Sequence, residues 1–392
     1  MSKNIVICSD GTGNTFSEHV SNITHLIQLI ELGDPARQLV LYDQGLGTNP
    51  KLVARVKAYQ DERHRKREGL KLLREPGYGI GLSGFVGRLA GLTIGYGLRE
   101  NVKEMYEALA ESYEEGDRTF LFGFSRGAFT VRALTGLLYR CGLPSHHPAS
   151  FGQFFTEAYN LYRPHDADHE RLREFRARHR VRDCEIDFLG IWDTVKSYGG
   201  MWPQSLPHLR HNPIVKTVRH ALALDEHRSW FIPTSWGGID SDDRNVLGVE
   251  ADDRYAAQNV QEVWFRGCHS DVGGGDQEID TAKIPLRWML SEAASRRLVL
   301  DEKGHDLLAH KDAAGTPVIH ESLTRPWRIA EYLPRFELDN SFRPPKRFFK
   351  CGRSGKRSPF EFRRAGKILL HSSVRGVDRV GVEYVDTPGR PS

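Results

Sequence analysis

The chain has 392 residues, 39% apolar and 27% charged, the balance of a globular protein able to bury a sizeable core. Its net charge of +4 is too mild to make nucleic acid the main partner, and none is expected. Five dispersed cysteines (Cys8, Cys141, Cys184, Cys268 and Cys351) form no C-x-x-C pair, which argues against a disulfide scaffold and fits a reduced, cytoplasmic protein.

Residues 1–10 carry neither a basic n-region nor a long apolar h-region, so no Sec signal is expected. Residues 3–9 form a continuous apolar run, the mark of a buried parallel strand. It ends in the turn-rich Asp10-Gly11-Thr12-Gly13-Asn14. A helix is predicted over 22–32, with Ile23, Leu26, Ile27 and Ile30 on one face, and a second strand over 38–42. Strand, helix, strand is the grammar of a parallel sheet. Residues 55–74 read as a solvated helical insertion. Residues 77–98 are long enough to span a membrane, but they are crowded with glycines and interrupted by Arg88. They read as a loop lining a cleft, with a small-residue patch touching lipid as the alternative.

An amphipathic helix is predicted over 98–113, with Val102, Met105, Tyr106 and Leu109 sharing a face, then a strand over 118–124 and a helix over 128–139. Residues 142–183 read as an inserted helical cap. Further strands are predicted at 185–192 and 262–265, while His220, His227 and His305 fall in helical patterns. The pattern weakens after residue 300, and 343–367 is strongly basic. The expected organisation is an α/β-hydrolase-like domain over 1–300, a mostly parallel sheet flanked by helices, followed by a basic extension over 301–392 packed on the core. A patch for anionic lipid or nucleic acid is the sharper reading of that extension.

Chemistry concentrates at Gly123-Phe124-Ser125-Arg126-Gly127. The pentad alone is weak, but here an apolar strand feeds the serine and a helix follows it, the setting of a nucleophile elbow. Such a turn forces unusual backbone angles at Ser125, and Gly123 and Gly127 leave it room. The Arg126 N–H, at the helix start, is an expected oxyanion donor, with Gly11 or Thr12 supplying the second. Asp10, Gly123 and Gly127 are expected beside the substrate. A serine needs a base, and in this fold the order is Ser, Asp, His. Asp193 follows a strand, with Asp225 and Asp271 as rivals. Among 17 histidines, His269 stands just past another strand, with His371 as its competitor.

Asp10, His269 and Asp271 could converge on an ion, but no dedicated metal pattern is present, and neither a metal nor another cofactor is expected. A phosphate-handling site at Asp10 would need a second aspartate two residues earlier, where Cys8 stands. Phe151, Phe154, Phe155 and Tyr159 could wall an acyl pocket or simply pack a helix.

Several motifs, in order, resemble one family: 9–14, LFGFSRGAFTVRAL (121–134), Trp192-Asp193-Thr194-Val195, HALALDEHR (220–228), WFRGCHSDVGGG (264–275) and IPLRWML (284–290). These are similar to the α/β-hydrolase-like family of bacterial and fungal proteins that includes the type VI secretion phospholipase effectors of the first class. The resemblance implies a Ser125–Asp193–His269 triad and phospholipase A or esterase activity on lipid. It also implies delivery without a signal peptide, peripheral membrane contact, and an immunity or secretion-apparatus partner. The chain differs in carrying little beyond the catalytic region. A catalytically silent binding protein and a metal-dependent phosphate-ester hydrolase using Asp10 are the other readings.

Overall fold

In the computed structural model, residues 2–11, 20–43, 70–72, 96–163, 168–195, 206–236, 258–275, 280–309, 318–332, 335–339, 346–350, 357, 359, 368–374 and 382–387 are described. Eleven strands and nine helices are assigned within them. The strands are β1 (Asn4–Ser9), β2 (Gln38–Asp43), β3 (Leu70–Leu72), β4 (Arg118–Phe124), β5 (Phe188–Trp192), β6 (Thr217–Ala223), β7 (Asn259–Phe265), β8 (Arg335–Asp339), β9 (Lys346–Lys350), β10 (Ile368–His371) and β11 (Val382–Val385). The helices are α1 (Asn22–Ile27), α2 (Tyr96–Ser112), α3 (Arg126–Cys141), α4 (Phe151–Tyr162), α5 (His169–Arg178), α6 (His269–Gly273), α7 (Asp280–Ser295), α8 (Glu302–Ala309) and α9 (Arg325–Ala330).

Nine strands form one sheet in the order β11-β10-β7-β6-β5-β4-β1-β2-β3, and every pairing is parallel. Strands β8 and β9 make a separate antiparallel pair. Both faces of the large sheet are covered, which is why β1 and β4 read as unbroken apolar runs. Alternation sends Ile5, Ile7 and Leu121 to one face, under α2, α3, α4 and α5. Val6, Cys8, Phe120, Phe122 and Phe124 go to the other, under α1, α7 and α8.

The strand order reverses between β1 and β4. In open parallel sheets the crevice at such a reversal, beyond the carboxyl ends of the strands, is where ligands bind. The Asp10-Gly11 turn and Ser125 both leave the sheet there. No helix among the described residues is long and apolar enough to cross a membrane.

Several expectations change. Helix α1 stops at Ile27 and the chain turns through Gln28 and Leu29. The helical insertion predicted over 55–74 is a strand at 70–72, pairing β2 in parallel; the rest of that segment lies outside the described residues, as does most of 77–98. His220 lies on a strand, because its burial on β6 is satisfied by pairing rather than by a helical face; His227 follows in a loop, and only His305 is helical. The C-terminal region is more than a tail: β10 pairs β7 and β11 pairs β10, extending the sheet.

The 142–183 insertion is helical, and its ends are tied by a bridge between Leu143 and Arg182. Phe151, Phe154, Phe155 and Tyr159 are buried with Tyr106 and Phe175 in the core, so the packed-helix reading accounts for them.

Candidate active site

Strand β4 delivers Ser125 at φ 56° and ψ −117°, a left-handed conformation that a non-glycine residue adopts only when its surroundings enforce it. The enforcement is visible on both sides. A Cβ at Gly123 would meet the Ala128 Cα at 2.5 Å, and one at Gly127 would meet the Ser9 carbonyl oxygen at 2.1 Å. The chain can turn this sharply, with α3 pressed against β1, only because both residues lack side chains. The Ser125 N–H donates to the Trp192 carbonyl at 3.1 Å, fixing the elbow to β5.

His269 opens α6, a short helix that follows closely on β7. Its ring lies between Phe124 and Phe231, with centroids 4.7 and 5.0 Å away. Nε2 stands 2.9 Å from Ser125 Oγ, and Nδ1 stands 2.5 Å from Asp193 Oδ2. A carboxylate can only accept, so Nδ1 carries the proton and Nε2 is left to accept from the serine hydroxyl. Burial pushes the imidazole below its ordinary pKa, against the upward pull of Asp193. The neutral, proton-accepting ring is therefore the resting form at neutral pH. Ser125 and His269 keep 9% and 7% of their surface exposed, enough for the hydroxyl to be reached.

Asp193 follows β5 with φ 37° and is fully enclosed. Its Oδ1 accepts from the Ala223 N–H at 3.1 Å. Arg357 donates to both carboxylate oxygens, Nη1 to Oδ1 at 2.6 Å and Nη2 to Oδ2 at 3.0 Å. Burial alone would raise this carboxyl, but Arg357 and the bond from His269 outweigh it and hold it well below the usual carboxylate range.

A second buried pair braces the same turn. The Thr194 N–H donates to His220 Nε2 at 3.2 Å, while His220 Nδ1 faces Glu262 Oε1 at 2.8 Å. That carboxylate also accepts from the Trp236 N–H at 2.6 Å. Glu226 sits on the other side: its Oε2 accepts from the His269 N–H at 3.2 Å, and both oxygens accept from Arg228. Burial works against its charge, but Arg228 overcomes this and holds the carboxyl down to about 2.

The rivals lie elsewhere. Asp225 pairs with Arg266 at 2.9 Å, and Asp271 pairs with His320 at 2.5 Å while capping α6 through the Cys268 N–H. His371 bonds Ser373 and Thr387.

Asp10 is buried beneath the elbow. Its carboxylate accepts from the Gly11 N–H at 2.7 Å, Ser21 Oγ at 2.7 Å and Tyr42 Oη at 3.3 Å. Burial raises its pKa to about 6 against these bonds. The Gly11 N–H expected as an oxyanion donor is thus directed at Asp10, and Thr12 lies outside the described residues. The Arg126 N–H is the first of α3, at the positive end of the helix. Asp10, His269 and Asp271 do not gather as ligands of one ion; among the described residues that geometry occurs at Glu107, Glu111 and His147.

Sequence reasoning missed Arg357, Glu226 and the His220–Glu262 pair. His220 and Glu226 stand in the HALALDEHR motif, which offered a signal without a role. Arg357 offered none beyond its basic neighbourhood.

Residues 3–292 match the family described as "T6SS, Phospholipase effector Tle1-like, catalytic domain". An uncharacterized protein of Saccharomyces cerevisiae is 30% identical over 240 residues, covering 58% of this chain and 32% of that protein. The chain thus spans about a third of the length of this curated relative. Two solved structures are similar. One is an uncharacterized protein from Pseudomonas aeruginosa, 21% identical, TM-score 0.40, covering 76% of this chain and 46% of that one. The other is a Tle1 effector bound to the VgrG spike of the type 6 secretion system, 18% identical, TM-score 0.30, covering 70% and 51%.

Proposed function

The chain belongs to the family of Tle1-like catalytic domains of type VI secretion phospholipase effectors, and from that premise we propose that it is a serine hydrolase of α/β-hydrolase type acting on phospholipid esters. The observation that carries this reading is the unbroken line Ser125 Oγ–His269–Asp193, with links of 2.9 and 2.5 Å.

The chemistry follows from the contacts. Ser125 Oγ attacks the ester carbonyl as His269 Nε2 takes its proton. Asp193 keeps the second ring proton on Nδ1 and stabilises the imidazolium. The oxyanion forms beside the start of α3, where the Arg126 N–H and the positive end of the helix favour negative charge. The imidazolium then gives its proton to the departing alcohol. Water, activated by the same ring, releases the acyl group.

The substrate class and the setting are carried from the family. The substrate is a glycerophospholipid ester, cleaved at a membrane surface after delivery without a signal peptide, and a component of the secretion apparatus is the partner. A phosphate-transfer role for Asp10 is disfavoured because its carboxylate is enclosed by Gly11, Ser21 and Tyr42.

The test is to incubate wild type, Ser125→Ala and His269→Ala with a fluorophosphonate probe and mixed phospholipid liposomes, without added metal. Wild type should be labelled and should release fatty acid, and both substitutions should abolish both signals, with a rate loss on the order of a million-fold. A folded wild type that is neither labelled nor able to cleave any ester would end this reading.

A further inference from the structure

In a serine–histidine–aspartate arrangement the carboxylate serves one imidazole. Here it is shared. Arg357 approaches Asp193 from 164 positions further along the chain and engages both oxygens in a two-point fork. The guanidinium also donates to the carbonyls of Ala223, at 3.0 Å, and Phe231. It therefore ties the end of β6 to the loop whose phenyl ring covers His269. The Arg357 side chain is 6% exposed and the Asp193 side chain 0%, so the pair is shielded from solvent. Arg357 also lies outside residues 3–292, the part of the chain that matches the family.

The arrangement has a physical cause. While His269 is neutral, Asp193 is a buried anion that, Arg357 aside, receives two hydrogen bonds among the described residues, from the imidazole and the Ala223 N–H. An unpaired buried carboxylate is costly, and it can lower that cost by taking up a proton or by turning toward water. Either response would spoil the imidazole's orientation. A planar fork prevents both, because it offers the opposite charge and fixes the carboxylate plane at two points.

We propose that Arg357 is a positioning residue for the reaction, clamping the Asp193 carboxylate in the plane that His269 requires and balancing its charge while the imidazole is neutral. This rests on the serine-hydrolase reading of the site. The clamp has a cost. A cation already on Asp193 weakens the pull of that carboxylate on the imidazolium, so Arg357 holds the ring less basic than it would otherwise be.

Among the described residues, the other charged groups around the pair include His220 with Glu262 and Arg132 on the sheet side, Glu226 with Arg228 beside the His269 backbone, and Asp271 with His320 across α6. All of these remain in place when only residue 357 is changed.

The experiment compares wild type, Arg357→Gln and Arg357→Lys on a soluble p-nitrophenyl ester. It reads kcat and KM separately and follows kcat/KM against pH, with the His269 ring titrated by NMR in parallel. Arg357→Gln should move the acid limb and the ring titration upward by about one pH unit, as expected for removal of a neighbouring cation. It should also lower kcat about tenfold or more at nearly unchanged KM, because the carboxylate loses its fixed plane. Arg357→Lys keeps the charge without the fork, so its limb should stay near that of wild type while kcat remains reduced.

A folded Arg357→Gln protein with wild-type kcat and an unmoved limb overturns the proposal. If that variant does not fold, Arg357→Lys decides: wild-type kcat refutes the clamp. The ring titration needs no turnover. An unreactive wild type would therefore defeat the serine reading, while the NMR shift would still decide whether Arg357 sets the charge of His269.

Discussion

Replacing Gly127 with alanine adds one methyl group, and the structure says where it must go. The new carbon would stand 2.1 Å from the Ser9 carbonyl oxygen and 2.8 Å from that of Asp10. Both neighbours are backbone atoms at the end of β1, so neither can swing aside as a side chain would. Ordinary carbon–oxygen contact needs a separation of about 3.3 Å, so α3 and β1 must part by about 1 Å at the elbow; overpacking of this kind costs about 1–3 kcal/mol. The same movement carries Ser125 away from His269, and a misplacement of about 1 Å lowers a reaction rate on the order of a hundredfold. Fluorophosphonate labelling rates read the second effect and urea unfolding the first. Gly152 supplies the control, because a Cβ there meets nothing within 4 Å and the residue lies inside α4. Alanine at that position should leave labelling unchanged and add about 0.5–1 kcal/mol of stability. A Gly127→Ala protein that is labelled at the wild-type rate would show that the close packing of helix on strand is not what holds the serine.

Asp193→Asn should reduce turnover on the order of ten thousandfold, because an amide no longer dictates which ring nitrogen of His269 carries the proton. Among the described residues the groups bonded to this carboxylate are donors, so the new NH₂ also faces donors, and urea unfolding should show a loss of stability; near-wild-type turnover would contradict the assigned tautomer. Glu226 tests the acid side. Its carboxyl is held at about 2 against an ordinary 4.5, a depression that stabilises the fold above the unfolded value and is lost as pH falls from 4.5 toward 2. Converted by linkage, this is about 3 kcal/mol at neutral pH and less than half of that near pH 3. Glu226→Gln should therefore differ from wild type strongly in urea unfolding at neutral pH and much less in acid; a gap that is constant across pH would rule out the charge as its source.

The legible parts of the sequence were those whose physics is local. β1 and β4 announce themselves as apolar runs because both faces of the sheet are buried, and the elbow is visible as small residues flanking a serine between strand and helix. Asp193 and His269 could be nominated because each follows a recognisable strand end. β6 was misread because its interior carries Arg219 and His220, which look solvated in sequence. Their partners, Glu292 and Glu262, lie 73 and 42 positions away. β10 and β11 are four residues each and follow a basic stretch, so hydropathy gave no contrast. Arg357 is one of several cations in that stretch, and only the folded chain distinguishes it.

The pairing of β10 with β7 also has a consequence for the order of events during synthesis. Trp264, on the strand that leads to His269, packs with Leu222, Ile368, Leu370 and Val374 in a small cluster at that end of the sheet. Until the ribosome has released residues 368–374, β7 is an open sheet edge with an uncovered tryptophan, and before Arg357 emerges the carboxylate of Asp193 has no arginine. Exposed edges of this kind invite pairing with other chains. A nascent chain stopped before that point is therefore both sticky and incomplete at its candidate site, and the sheet edge is covered only once β10 has been made.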